Sequence, residues 1–367
     1  MQRFEATWSA CAHASDPVVA DSNARWTTTS SGPNWQVATD FHLFRWDDII
    51  SNAAAQPLWR RMLLGLMAIG KFIMAGALWR YLRFGWRYVL FFFYPALLLA
   101  SFAGAAASVG TLIALAGPFS SWTAFAGAVS VFLVLVFWPG KKLHLHTALD
   151  DWAFSQAYLR GGHPVLDERL DRVASQLISA EGSSYDEILV IGHSLGAVLA
   201  VHMLERALRV NPELGKEGPR IAFVAVGSSI LKVGFHDGAT ALRQAILRLG
   251  SATHVCWGEY QALADVMNFY KTDPVRELGL ATPTHPLVRT VSIRSMLDDA
   301  AYRRIRLNFF RMHRQFVSGN TRRARYDYFM MVCGPLSAEA QLRSPDGAAS
   351  AFANDGTFKK EFLSVPG

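Results

Sequence analysis

The pentapeptide Gly192-His193-Ser194-Leu195-Gly196 sets a serine hydroxyl between two glycines. The apolar run Ile188-Leu189-Val190-Ile191 precedes it, and Ala197-Val198-Leu199-Ala200-Val201 follows, continuing to Arg209 with apolar residues at helical spacing. A strand that passes directly into a helix leaves only a tight turn for the serine. Small residues are needed where the two elements nearly touch, and Gly192, Gly196 and Ala197 supply them. The chemistry expected of such a turn is nucleophilic: the hydroxyl stands clear of the sheet, and the Leu195 backbone N–H points at the atom under attack. Serine is a poor nucleophile at its own pKa, so it requires a base within hydrogen-bond reach and a third group to orient that base. Downstream histidines are His202, His236, His254, His285 and His313; Asp265 and Asp273 are candidate acids.

The 367 residues can hold one large α/β domain with insertions or two ordinary domains. The apolar share is 51%, high for a wholly soluble chain. No Asp, Glu, Lys, Arg or His occurs between Arg87 and Lys141, an interval much longer than the ~20 apolar residues one spanning helix needs. Two spans are predicted, from about Tyr88 to Ile113 and from about Trp122 to Trp138, with Gly117-Pro118 as the reversal. Gly104, Ala107, Ser108 and Gly110 offer a small-residue packing face on the first. Arginines precede the first span, Lys141-Lys142 follow the second and the connection has no charge. Both ends therefore face the cytoplasm, and the expected location is integral to a bacterial inner membrane. Residues 56–87, basic and amphipathic, are expected to lie in the interface.

The net charge of +7 is concentrated beside the apolar block and between Arg303 and Arg325, without an aromatic-interleaved groove. The expected partner is an anionic lipid bilayer, not nucleic acid. Three widely spaced cysteines, Cys11, Cys256 and Cys333, form no C-x-x-C pair and predict neither a disulfide framework nor a metal site, and no cofactor is implied. No cleavable signal peptide is expected at the start of the chain.

Asn34 to Phe44 reads as a strand. Leu149 to Leu159 and Pro164 to Ala180 read as helices. Buried strands follow at Ile221–Val226, Thr253–Tyr260 and Leu287–Ile293, with helices near Ala239–Leu249 and Asp298–Phe316. Strands alternating with helices imply a parallel sheet. The expected organisation is 1–55 as the N-terminal part of the main domain, 56–87 as the basic interfacial segment, 88–140 as the transmembrane hairpin, 141–336 as the main domain and 337–367 as a weakly ordered tail.

The run Asp186 to Ala197 resembles the nucleophile elbow of serine α/β-hydrolases of the lipase and esterase type. Val226-Gly227-Ser228-Ser229 is similar to the next strand end in that family, Trp257 to Asp265 resembles its acid-bearing strand and loop, and His313-Arg314-Gln315-Phe316 its terminal histidine loop. The resemblance implies an α/β-hydrolase-like, mostly parallel sheet flanked by helices and interrupted by the two-helix hairpin. It also implies the chain order serine, acid, histidine. His202 sits on the helix after the serine, and His236 and His254 precede the acids, which leaves His313, with His285 as the alternative. Asp265 is the implied acid and Asp273 the alternative. The implied activity is cleavage of carboxylic esters of lipid or other acyl substrates by Ser194, Asp265 and His313, with Leu195 N–H in the oxyanion hole. The chain departs from the pattern before residue 47, where no His-Gly or Gly-Phe loop supplies the second oxyanion donor. That loop lies upstream of the sequence, or Ala10 to Val19 replaces it. The alternative reading is a non-catalytic fold of this type used as a membrane scaffold or partner-binding module.

Overall fold

A glycine at each of two crossings fixes how closely the elements of this chain approach one another: Gly192 where a strand meets a helix, and Gly65 where two helices meet. The structure, a computed structural model, describes residues 1–20, 22–117, 120–161, 163–359 and 361. It divides into two units, Met1–Trp46 with Pro164–Gly367, and Asp47–His163. The first is mixed α/β.

Strands β1 (Cys11–Ala14), β2 (Val18–Val19), β3 (Asn23–Gly32) and β4 (Trp35–Phe44) form an antiparallel sheet. β1 and β2 pair along one side of β3, and β4 pairs along the other from Asn23↔Phe44 to Gly32↔Trp35. The expected strand over Asn34–Phe44 is present as β4. β3 runs to Gly32, and the turn into β4 is only Pro33-Asn34.

Strands β5 (Glu187–His193), β6 (Arg220–Val226), β7 (Cys256–Ala262) and β8 (Leu287–Val291) form the second sheet, all parallel and in sequential order. β6 is buried from Ile221 to Val226, consistent with its near-continuous apolar run. Helices Pro164–Ala180, Leu195–Val210 and Thr240–Ser251 alternate with these strands. The helix expected over Asp298–Phe316 is two pieces, Asp299–Ile305 and Phe309–Arg314. Asn308 separates them: its Oδ1 accepts the Arg311 N–H at 2.9 Å and starts the second piece as an N-cap.

Of the segment expected to be weakly ordered from residue 337, residues 337–359 make contacts with both sheets, and residues 360 and 362–367 lie outside the described residues. Half-buried Glu187 of β5 accepts the Ala338 N–H through both carboxylate oxygens at 3.1 Å, at the start of the helix Ala338–Arg343. Leu342 lies against Gly258 of β7, where a Cβ would come within 2.4 Å of its Cδ2. Phe352 and Phe358 join Phe4, Trp8 and Trp35 in one core cluster. Asn34 exchanges 2.7 Å hydrogen bonds with the Phe358 backbone in both directions. Small and polar composition here reflects close approach to the sheets.

In the second unit the helix Leu58–Met74 buries Gly65, Ala68, Ile69 and Phe72. Gly65 meets the backbone of Leu149 on the helix Leu145–Leu159, and a Cβ there would lie 2.7 Å from the Leu149 carbonyl oxygen. Arg61 grips Asp150 on the same helix with Nε and Nη2. The expected interfacial segment therefore has one face packed on protein, while Trp59, Leu63, Leu64 and Met67 remain exposed. Helix Ala77–Leu115 contains the first expected span and is interrupted at Gly85 (φ −160°, ψ 59°), between Arg83 and Arg87.

Helix Ser121–Phe137 contains nearly all of the second span; Pro118 of the expected reversal lies outside the described residues. Two helical segments, Ala77–Leu115 and Ser121–Lys142, are long and apolar enough to cross a membrane. Only 28% and 11% of their most apolar windows are buried, less than a soluble core helix requires. Their packing face differs from the expected one. Ala106 and Gly110 are buried, and Gly110 touches Ala124 and Ala128, while Gly104, Ala107 and Ser108 point outward.

Phe352→Ala is expected to destabilise the first unit by about 3–5 kcal/mol, because a buried ring against Trp8 and Trp35 is lost. Thermal unfolding in detergent measures this; a change within about 0.5 kcal/mol would be that of a surface site and not of a core one.

Candidate active site

Ser194 occupies the turn between β5 and the helix Leu195–Val210 with φ 55° and ψ −124°. A non-glycine residue there costs about 1–3 kcal/mol and persists only where its surroundings dictate it. They do so here. A Cβ on Gly192 would lie 2.4 Å from Ala197 Cα, the Ser194 N–H donates to Val226 O at 3.2 Å, and the Ser194 carbonyl accepts from Ala197 N (3.1 Å) and Ser229 N (3.1 Å). The turn is thus tied to the neighbouring strand β6. Leu195 opens the helix, so its N–H has no acceptor within the helix.

Asp265 and His313 come together across 48 positions of sequence: His313 Nδ1–H donates to Asp265 Oδ2 at 2.7 Å, and both side chains are buried. Asp265 follows the carboxyl end of β7. Its Oδ1 accepts the Met267 N–H at 2.9 Å, and Asn268 Nδ2 bridges the carbonyls of Asp265 (2.6 Å) and Ala262 (3.0 Å). The loop is closed by its own polar groups.

His313 lies on the short helix Phe309–Arg314 and is fixed by three contacts. The His193 Nε2–H donates to its carbonyl at 3.1 Å. The two imidazoles lie 4.4 Å apart. Gly227, at φ +53°, sits so near that a Cβ would come within 2.9 Å of His313 Cε1. With Nδ1 as donor, Nε2 carries the lone pair. Nε2 is buried and has no hydrogen-bond partner. Ser194 Oγ lies 3.4 Å from Ser229 Oγ instead.

The two alternatives pair with each other. His285 Nδ1 donates to Asp273 Oδ2 at 2.6 Å, while Asp273 Oδ1 accepts the Val275 and Arg276 N–H groups as the cap of Pro274–Glu277. The His285 side chain is 48% exposed, against 4% for His313, so this second dyad is a solvated helix cap and not a water-shielded relay. Residues 10–19 do not present a free loop. Cys11–Ala14 and Val18–Val19 pair with β3, Ala12 N–H goes to Glu5 Oε1, and Ser15 N–H goes to Thr27 O.

Sequence reasoning missed three residues of this site. His193 was legible only as the variable position before the serine. Gly227 and Ser229 stood in a noted strand end without a role, and the glycine directly after an apolar strand was the available signal. Beside them, Ser228, Glu259, Gln261 and Thr272 line a small cavity. Burial pushes the Glu259 carboxyl well above its ordinary range.

Compared with protein-family models, with curated proteins and with solved structures, the chain finds no match in any of the three.

Burial, then the nearby His313, pushes His193 down to about 3. Its unfolded value is about 6.5, so the unfolded chain binds the extra proton between those values. The contribution to stability is intact above about pH 6.5 and falls as the pH drops toward about 3, by up to about 1.4 kcal/mol per pH unit. His193→Gln is expected to flatten the acid limb of a melting-temperature-versus-pH curve. An unchanged slope would rule out His193 as a contributor.

Proposed function

We propose that the chain is a bilayer-anchored serine hydrolase that cleaves carboxylic esters of lipid or other acyl substrates through an acyl-enzyme. The reading rests above all on the buried Asp265–His313 dyad, whose ring has an unpartnered Nε2 and packs on His193, the residue before the strained Ser194. In this reading the architecture is a variant of the α/β-hydrolase fold. In support of that, serine, acid and histidine all follow the carboxyl ends of parallel strands, where open α/β sheets present their sites.

His313 Nε2 takes the Ser194 proton as Oγ attacks the ester carbonyl. Asp265 holds the ring with Nδ1 protonated and stabilises the imidazolium. Leu195 N–H meets the oxyanion, and the proton returns to the departing alcohol oxygen. Water then attacks the acyl-Ser194 carbonyl with His313 again as base, releasing acid and free serine. The Ser194 hydroxyl must rotate away from Ser229 to start. Apo active sites commonly tighten such bonds only with substrate bound.

That unformed serine–histidine bond favours the second reading, a non-catalytic scaffold. Labelling of the detergent-solubilised protein by a fluorophosphonate probe separates the two. Wild type is expected to label and Ser194→Ala not to. Asp265→Asn should lose about 10⁴-fold in ester turnover, as orienting acids do elsewhere, while Asp273→Asn leaves turnover nearly unchanged. Unlabelled wild type beside a reactive control esterase favours the scaffold. Damage from Asp273→Asn alone moves the acid to the exposed dyad.

The substrate class follows from anchorage: a site tethered at a bilayer meets acyl chains at high local concentration. The two apolar helices support that anchorage, and the flanking Arg80, Arg83, Arg87, Lys141 and Lys142 support a cytoplasmic side for both ends in a bacterial inner membrane. A C-terminal fluorescent reporter active only in the cytoplasm is expected to light up. Activity of a periplasm-dependent reporter there reverses the orientation.

A further inference from the structure

Residues 300–326 contain eight arginines and no Asp or Glu. Part of this charge is consumed within the fold. Arg323 donates to the carbonyls of Thr7, Ala353 and Asn354 and lies over the Trp8 ring, and Arg322 shares Asp299 with Arg294. Most of the rest is presented outward on one ridge. Arg303, Arg304, Arg306, Arg311 and Arg314 are exposed, and among the described residues none has a carboxylate within ion-pair distance. In their midst Leu307 is 90% exposed, the most exposed large apolar side chain described in the chain. The half-buried, ring-paired Phe309 and Phe310 follow it.

We infer that this ridge between the helices Asp299–Ile305 and Phe309–Arg314 docks on the surface of an anionic lipid bilayer. Arginines meet the phosphate and carboxylate headgroups, and Leu307 enters the acyl boundary below them. Each half of the ridge needs the other to be explained. A polyanion such as nucleic acid uses the arginines and leaves Leu307 in water. A neutral apolar partner uses Leu307 and leaves five cations to be desolvated without partners. An anionic bilayer provides both layers in that order, headgroup charge outside and hydrocarbon beneath. The ridge adds a second lipid contact, on the unit that carries His313, to a chain with two helices suited to crossing a membrane. It does not depend on Ser194 chemistry.

The test places an environment-sensitive fluorophore on Leu307→Cys in a Cys11→Ser, Cys256→Ser background of the full chain. The protein is reconstituted into vesicles of phosphatidylcholine alone or with about 30% phosphatidylglycerol. Emission is expected to shift to the blue only with phosphatidylglycerol, and to return as salt is raised. Each of Arg303→Gln, Arg304→Gln and Arg306→Gln should lower the docked-to-undocked ratio about fivefold, since an arginine near an anionic surface contributes about 1 kcal/mol. All sit on the exposed surface, and an unchanged melting temperature shows that the fold is intact. Three results overturn the proposal: a water-like label on both vesicles, an equal shift on both, or a shift with soluble nucleic acid or in lipid-free detergent. Because the readout is emission and not turnover, its failure leaves the hydrolase reading untouched.

Discussion

β5 passes into the helix Leu195–Val210 without a linker, and this close approach governs the first unit. With Gly192 against the Ala197 backbone, no side chain fits at the crossing, and the only residue between strand and helix is driven to φ 55°. That conformation orients the Ser194 amide and carbonyl toward Val226 and Ser229. The end of β6 is thereby locked to the turn. Gly227 then needs its own positive φ, and the space left by its missing side chain is where His313 and Phe316 sit. One steric constraint therefore propagates across two strands to a residue more than a hundred positions away.

The dyad depends on a different kind of support. Asp265 lies on an irregular loop after β7 and His313 on a helix of only six residues, so many of the backbone hydrogen bonds around them must be supplied individually. Asn268 closes the first loop, Gln261 holds Thr272 just beyond it, and Tyr326 donates to the Phe316 carbonyl at 2.5 Å on the second. His193 joins the two systems. It is part of β5, yet its imidazole bonds to the backbone of the histidine it faces. A neutral, buried ring is well suited to that role, since protonation would place a cation against His313.

Strong local signals were legible from sequence. The Gly192–Gly196 turn carried its own context of apolar strand, small residues and periodic helix, and the parallel strands β5 to β8 stood out as short apolar runs between helices. The uncharged interval after Arg87 was equally plain. Other features were hidden because composition does not report partners. Thr28 and Ser30 resemble turn chemistry, but they are buried strand residues, and Ser30 donates to the Cys333 carbonyl at 2.5 Å. The stretch after Ser337 is polar and small because it lies against Glu187 and Gly258. Spacing alone did not pair acids with histidines; the resemblance implied Asp265 and His313 and left Asp273 and His285 as alternatives. Asp265 and Asp273 are eight positions apart, and only the fold sends one to His313 and the other to His285.

The arrangement at Ser194 carries two local costs that a merely structural turn would avoid. The left-handed backbone costs about 1–3 kcal/mol, and a buried imidazole nitrogen without a partner costs about 1–3 kcal/mol more. Together they equal a substantial part of the roughly 5–15 kcal/mol that holds a typical domain folded. Either cost could be removed by one substitution: a glycine in place of Ser194 relaxes the turn, and an apolar residue in place of His313 has no lone pair in need of a donor. The chain carries both costs, on two residues linked through the His193 side chain and Gly227. A hydroxyl presented on a strained turn and a buried imidazole lone pair oriented by a carboxylate are the two elements that the proposed proton transfer calls for.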